Sequence, residues 1–516
     1  LADKRGVEIA GPSKPKSLDL FLVSVLIFCA VLSRCIYIIR PFDSDSAMFI
    51  YMGKLISEGG RFGHEIVDNK FPTVGLLMSA PWRLLGSNWP LWVMLGAVLS
   101  GLACWRLVRA AGRAFGSRAA IPALLAGIVL LNFSFTVWGG FQLETLHIFF
   151  ASLAAAAGLD ALRSDDPRDS FLLGLCAAMG AYAKPTALAV VIAFAIVMIV
   201  QLRRRPARLV LHGGMTLIGV LIPAVAFLVY LIFSNSLRDM PALFQQISLY
   251  AKNSAWGGED LKKLITLVIL AGFPFFIIGA VFRRRRIDHA DGSQLAVWFV
   301  ALWLGLELLG VILQRRMYAY HFMPITAPLV LLFAAMPRRV DIRTIACALI
   351  PMSLFSLIGA ANVLRYGYEP HRTLLASEYL QQHAIAGERI WADDVPRLIL
   401  ETELRTGSRH PITFLFANDD DAALRFGNAI LEDLQSQKPR YIVLPTELAK
   451  YILHQQRNIR ELEDFERRRE NYGVAWGWIE SFVKQHYTPA ARAGRDTVWV
   501  FRDPPSTDVA SGREMQ

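Results

Sequence analysis

Two carboxylates one residue apart, Asp43 and Asp45, stand where a long apolar run gives way to Pro41-Phe42-Asp43-Ser44-Asp45-Ser46. Carboxyl groups so spaced can hold a divalent cation, or one can take a proton from a hydroxyl while the other tunes it. The plain alternative is a solvated loop start that caps the segment after Asp45. Tyr51, His64 and Asp68-Asn69-Lys70-Phe71-Pro72 follow in the same polar stretch. Glu144 interrupts apolar sequence in Gln142-Leu143-Glu144-Thr145-Leu146-His147, and a carboxylate there needs a partner. Glu144 and His147 share a helix face, but a di-iron bundle needs a second Glu-x-x-His, which the chain lacks. His147 therefore reads as a hydrogen-bonded wall residue.

Cations gather at similar borders. Lys184-Pro185 ends a short apolar run, and Arg315 and Arg316 end another, leading into Tyr318, Tyr320 and His321 ahead of Pro324. A lysine so placed either snorkels to lipid headgroups or binds phosphate; the arginine pair meets anionic lipid or recognises phosphate. Arg34 and Glu307 lie about two turns inside their apolar runs, where charge is costly, and pairing with each other would relieve both.

Apolar sequence must hold these groups in place. Of 516 residues 54% are hydrophobic and 19% charged, which excludes an ordinary soluble globular chain and a disordered one. Stretches near bilayer length fall at 18–39, 89–109, 119–138, 141–162, 170–184, 186–202, 210–233, 262–282, 294–313, 322–337 and 344–364, about eleven spans. Residues 1–17 read as a cytoplasmic tail, and 18–39 as a retained span, being too long for a signal-peptide core. The net charge of +11 lies in short arginine clusters between apolar runs, so a lipid bilayer is the expected partner and nucleic acid is not. With the N-terminus inside, Arg106, Arg109, Arg113, Arg118, Arg163, Arg168, Arg203, Arg204, Arg205 and Arg208 all fall in cytoplasmic loops. Arg283 to Arg286 and Arg338, Arg339 and Arg343 land there too, and the positive-inside rule selects this orientation. The membrane domain then covers 18–367, with a first outer loop at about 40–88.

From 368 to 516 the composition becomes that of a small extracytoplasmic α/β domain. Strand-type runs at 389–392, 412–417, 441–444 and 497–501 alternate with amphipathic stretches at 422–434 and 474–483. Asn418, Asp419, Asp420 and Asp421 lack the ligand spacing, glycine and closing glutamate of a calcium loop, and helix capping is the preferred reading. The five cysteines, Cys29, Cys35, Cys104, Cys176 and Cys347, indicate neither a disulfide framework nor a zinc site.

The outer rim thus collects acids at Asp43, Asp45 and Glu144 and cations at Lys70, Lys184, Arg315 and Arg316. A carboxylate base beside phosphate-binding cations suits transfer of a group from a phosphorylated lipid to a hydroxyl. The base takes the acceptor proton while the cations stabilise the departing phosphate.

A family resemblance rests on Arg34, the acidic pair ending at Asp45, and the glycine-rich stretch running to Asp68-Asn69-Lys70-Phe71-Pro72. It continues through residues 73–86, Leu143-Glu144-Thr145, Gly180-Ala181-Tyr182-Ala183-Lys184-Pro185 and Tyr320-His321-Phe322-Met323-Pro324. In this order, over roughly 18–365, these motifs resemble the integral-membrane GT-C glycosyltransferases. The nearest branch is the bacterial one related to protein O-mannosyltransferases and the lipid A aminoarabinose transferase. The resemblance implies a mainly α polytopic fold and inverting transfer of a sugar from a polyprenyl-phosphate donor to a hydroxyl of an envelope acceptor at the periplasmic face of an inner membrane. It assigns the general base to Asp45, with Asp43 as rival, and the donor phosphate to Lys70, although this chain has Lys70-Phe71-Pro72 where the family has Lys-Pro-Pro. Glu144, Lys184, Arg315, Arg316 and His321 carry over more loosely. Arg34, Tyr51, His64, His147 and Tyr320 would line the pocket, and the appended α/β domain would cover the cavity or help admit the acceptor. A divalent cation at Asp43 and Asp45 stays open, since lysine and arginine could do the electrostatic work unaided.

Two other functions fit parts of this pattern. A polyprenyl-linked lipid flippase or transporter also needs many spans and cations, but predicts mid-membrane ionisable groups and two related halves. A phosphoethanolamine-type transferase would put metal ligands in the C-terminal domain, where His371, His383, His410, His454 and His486 lack metal spacing.

Overall fold

A computed structural model describes residues 17–38, 43–68, 70–132, 140–241, 291–314, 319–335, 374–393, 395–411, 422–448 and 465–502, with scattered positions between 243 and 247 and between 349 and 361. The first helix, α1 (Ser17–Arg34), is followed by two helices within the expected outer loop, α2 (Ser44–Ser57) and α3 (Pro72–Leu85). Next come α4 (Trp89–Phe115), α5 (Ala120–Leu130), α6 (Leu143–Ser164), α7 (Pro167–Ala183), α8 (Ala189–Leu202) and α9 (Pro206–Phe233). Helices α10 (Asp291–Leu313) and α11 (Thr326–Ala334) complete the apolar body.

Local chemistry explains several starts. Asn88 accepts the Leu91 amide ahead of α4 and Asp166 accepts the Arg168 amide ahead of α7, each with a proline in the first turn, where no amide hydrogen is missed. Helices α7 and α9 pack closely because Gly174 faces the Thr216 carbonyl; a Cβ built there would lie 2.2 Å from that oxygen. At the turn between α6 and α7, Ser170 Oγ lies 2.7 Å from His212 Nδ1, and His212 Nε2 lies 2.8 Å from Asp165, tying the start of α9 to that turn.

Among the described residues six helical segments are long and apolar enough to cross a membrane: Leu20–Tyr37, Trp89–Phe115, Leu143–Ser164, Pro185–Leu202, Pro206–Phe233 and Gln294–Leu313. Each of them overlaps one of the eleven expected stretches. The stretches read at 119–138, 170–184 and 322–337 contain α-helices of 11, 17 and 9 residues: the chain turns at Leu131, is extended at Lys184 and is 3₁₀ from Ala319 to Ile325. The stretch 262–282 lies outside the described residues, and 344–364 is described only at scattered positions.

The C-terminal part carries helices α12 (Leu374–His383), α13 (Val395–Thr402), α14 (Ala422–Gln437) and α15 (Phe465–His486). Its strands are β1 (Arg389–Ala392), β2 (Arg405–Thr406), β3 (Tyr441–Pro445), β4 (Tyr487–Ala493) and β5 (Asp496–Phe501). They form one sheet in the order β2-β1-β3-β5-β4, parallel from β2 to β3 and antiparallel beyond. The runs at 389–392, 441–444 and 497–501 are strands as expected, while 412–417 and Asn418 to Asp421 lie outside the described residues. Helix α13 packs on α2, and the Val67 amide donates to the Arg409 carbonyl at 2.7 Å, so this part sits against the segment that follows the first apolar helix.

Candidate functional site

Helix α2 begins one residue after Asp43, whose carboxylate accepts the Ser46 amide at 3.0 Å. The cap is thus Asp43 itself, and Asp45 lies in the first turn, where the partial positive charge of the helix end favours a carboxylate. The capping offered as the plain alternative is thus present, with the helix starting at Ser44, before Asp45. Asp43 also accepts from Gln142 Nε2 at 3.1 Å, and its other oxygen lies 2.6 Å from Ser46 Oγ. Burial and the charge of Asp45 push the Asp43 carboxyl up to about 6, against the lowering effect of its Ser46 and Gln142 hydrogen bonds. Asp45 Oδ2 accepts the Tyr320 hydroxyl at 3.0 Å, and the Tyr320 ring meets His321 edge-on with centroids 4.7 Å apart.

Behind these residues the loop before α6 is clamped from α1. Arg34 donates to the Gly140 carbonyl and to Ser100 Oγ, both at 2.6 Å, and is 1% exposed. Its expected pairing with Glu307 is not formed: Glu307 Oε1 instead meets His147 Nε2 at 3.0 Å and accepts from Trp303 Nε1 at 3.1 Å. The loop carbonyl and Ser100 take the guanidinium donors, while Glu307 is held by His147 on α6 and by its own helix. Gly140 has φ +83°, and a Cβ there would lie 2.9 Å from the Tyr37 Cβ. Gly140→Ala should therefore destabilise the protein by about 1–3 kcal/mol, read as a lower melting temperature of purified protein, whereas an unchanged melt would show that this turn bears no strain.

Lys184 Nζ lies 3.0 Å from Glu144 Oε1, which supplies the partner that the Glu144 carboxylate requires. Thr73 Oγ1 donates to the Tyr182 carbonyl at 3.0 Å, bringing the start of α3 to the end of α7. Lys70 stands two residues before Pro72, the first residue of α3, so backbone position puts it at the same end of the body as Lys184. Tyr51 is buried in α2 and 4% exposed; burial pushes its phenol up. His64 is exposed in the turn bounded by the Phe62–Ile66 bridge. Arg315 and Arg316 lie outside the described residues.

Asp43, Asp45, Glu144, Lys184 and Tyr320 thus come together at one end of the helical body, linked through Ser46, Gln142 and the loop that Arg34 clamps. Arg113, bonded to Asp160 at 2.6 Å near the last turn of α6, and Arg163 and Arg168 at the turn into α7 mark the other end. Sequence reading did not give Ser46 and Gln142 roles. The signal was present, since Gln142 sits two residues before Glu144 and Ser46 three after Asp43, but neither carries charge. Among the described residues no three of His, Cys, Asp or Glu gather as a metal ion would require.

Residues 69–230 match the family model described as dolichyl-phosphate-mannose-protein mannosyltransferase, a segment that takes in Lys70, Glu144 and Lys184. No curated protein sequence matches the chain. Among solved structures the chain is similar to ArnT from Cupriavidus metallidurans in the apo state, with 13% identity, a TM-score of 0.62, and coverage of 93% of this chain and 97% of that one. It is likewise similar to ArnT from the same organism bound to undecaprenyl phosphate, with 12% identity, a TM-score of 0.57, and coverage of 94% and 98%. At such identities the likeness speaks for the fold. The resemblance to the integral-membrane GT-C glycosyltransferases therefore stands, in sequence over residues 69–230 and in fold over nearly the whole chain.

Proposed function

We propose that the protein is a glycosyltransferase of a bacterial inner membrane that moves one sugar from a polyprenyl-phosphate donor to a hydroxyl of an envelope lipid, glycan or protein at the periplasmic face. The observation that carries this reading is that the Asp45–Tyr320 hydrogen bond and the Glu144–Lys184 ion pair lie at the same end of a GT-C-like body, away from the arginines near the α6–α7 turn. Under the positive-inside rule the arginine end is cytoplasmic and the carboxylate end faces outward. The ArnT to which the chain is similar was solved with undecaprenyl phosphate, which supports a polyprenyl-phosphate donor here.

Asp45 would take the acceptor hydroxyl proton as that oxygen bonds to the anomeric carbon from the face opposite the phosphate. The bond from that carbon to the phosphate oxygen breaks with its electron pair, leaving polyprenyl phosphate and an inverted configuration. Lys70 and Lys184 stabilise the charge that grows on the departing phosphate, and Glu144 holds Lys184 in place. Arg315, Arg316 and His321, which follow α10 in the sequence, are assigned to the same phosphate. The C-terminal α/β part, docked on α2 through α13, is assigned to admitting the acceptor.

The test incubates purified protein with a panel of polyprenyl-phosphate sugars and hydroxyl acceptors and reads sugar transfer and anomeric configuration. Movement of intact lipid across proteoliposomes, with no transfer, would assign a flippase instead. Lys70→Ala should raise the KM for donor about tenfold or more, the worth of one lost charged hydrogen bond. Unchanged donor KM and kcat would remove Lys70 from the phosphate site.

A further inference from the structure

The hydroxyl of Ser46 has one hydrogen and two short acceptor contacts. Ser46 Oγ lies 2.6 Å from Asp43 Oδ2 and 2.5 Å from the Phe141 carbonyl oxygen, and it also lies 3.3 Å from Gln142 Nε2. If Asp43 were ionised, one of the two short contacts would press acceptor against acceptor, and Ser46 is 0% exposed, so water cannot relieve it. Gln142 cannot supply the missing hydrogen, because its amide donates to both Asp43 Oδ1 and Ser46 Oγ and reaches neither Asp43 Oδ2 nor the carbonyl.

One added proton satisfies both short contacts of Ser46. With a hydrogen on Asp43 Oδ2, that oxygen donates to Ser46 Oγ, and Ser46 Oγ donates to the Phe141 carbonyl. The Ser46 backbone amide and Gln142 Nε2 both donate to Asp43 Oδ1, at 3.0 and 3.1 Å, and Ser46 Oγ fills its second lone pair from Gln142. The Phe141 carbonyl belongs to the loop that Arg34 clamps at Gly140, so the acceptor at the end of this chain is held in place.

We infer that Ser46, Gln142 and the Phe141 carbonyl form a proton-holding relay that keeps Asp43 a neutral carboxylic acid at neutral pH, leaving Asp45, bonded by Tyr320, as the one charged carboxylate of the pair. The inference deepens the proposed transfer reaction and rests on it only for its consequence, the choice between two rival bases. Two carboxyls one residue apart at a half-buried helix start divide their protons unequally, since each charge disfavours the other. Ser46 and Gln142 act as positioning residues, through their hydrogen bonds to Asp43.

The ionisable surroundings agree. On its own helix Asp43 faces Asp45, whose charge favours the neutral acid. Of the elements packed on α2, α3 carries Arg83, which reaches the Ser57 carbonyl at the far end of α2, and α13 carries Arg397 and Glu401. On α6 the nearest acid is Glu144, already paired with Lys184, while Tyr320 donates to Asp45. Burial favours the neutral acid as well, whereas a hydroxyl proton given by Ser46 would oppose it. Ser46 donating to Asp43 is one of the bonds that hold the carboxyl down to about 6; with that hydroxyl donated to the Phe141 carbonyl instead, the lowering is lost and the acid form is favoured further.

Infrared spectroscopy reads the protonated carboxyl directly and needs no sugar transfer, so its failure differs from failure of the proposed reaction. Full-length protein in detergent and chelating buffer is titrated, and the carbonyl stretch lost in Asp43→Asn identifies Asp43. The band should be present at pH 7 in the wild type. Ser46→Ala, which removes the acceptor of that proton, should make Asp43 release it about tenfold more readily, shifting its titration to lower pH. If Ser46 instead donated to a carboxylate, the same substitution would shift the titration upward. An upward shift, or no band at pH 7 in the wild type, overturns the inference; the wild-type reading decides alone should Ser46→Ala fail to fold.

Discussion

Asp45→Asn should leave a folded, membrane-inserted protein whose sugar transfer falls by about 10²- to 10⁴-fold, the usual worth of a positioned general base. The substitution is nearly isosteric, and the amide oxygen can still accept the Tyr320 hydroxyl that Asp45 Oδ2 accepts at 3.0 Å. What disappears is the ability to take a proton from the acceptor. The comparison is therefore clean: melting temperature and elution volume stay near wild type while turnover collapses. Near-normal turnover would discard Asp45 as the base and pass the assignment to Asp43, contrary to the hydrogen count around Ser46.

The second large effect is expected at Lys184. Its ammonium lies 3.0 Å from Glu144 Oε1, with side chains 14% and 5% exposed, so Lys184→Met would strand a carboxylate in surroundings that hydrate it poorly. A loss of about 3 kcal/mol in stability follows, together with a fall in donor use if the lysine also meets phosphate. The double variant Lys184→Met/Glu144→Gln separates the two roles. Removing both charges should restore most of the stability, because no unpaired charge remains, yet transfer should stay low. Full recovery of transfer in the double variant would make the pair purely structural. Equal melting of Lys184→Met and wild type would show that Glu144 finds another partner.

The two substitutions act through different physics. Asp45 is held by one neutral hydroxyl and stays available for a proton, whereas Glu144 is consumed by its ion pair and serves by fixing a cation. Asp43 is consumed too, by Ser46 and Gln142. Of the three rim carboxylates, one remains open to chemistry, which suits a reaction needing one base and a cluster of cations but no general acid, the phosphate being a competent leaving group.

The types of the elements and the end of the body at which the acids gather were legible in the amino-acid order. Hydropathy averages over about twenty residues, so it finds helices such as Trp89–Phe115 and Pro206–Phe233, and it places Glu144 and Lys184 beside their breaks. It cannot see where a run leaves the α-helix, as this chain does at Leu131 and Lys184. Strand positions such as 441–444 were legible for the same local reason, since a short run of aromatic and β-branched residues is a property of neighbours.

Partners were decided by tertiary structure. Arg34 and Glu307 look like a pair on any depth scale, yet Arg34 binds Gly140 and Ser100 while Glu307 binds His147 and Trp303. Depth along a helix follows from residue number, but the direction in which a side chain points depends on the rotation and packing of each helix against others far away in the chain. The meeting of Tyr320 with Asp45 and the single shared hydrogen of Ser46 exist only once α2, the loop before α6 and the segment before α11 have docked.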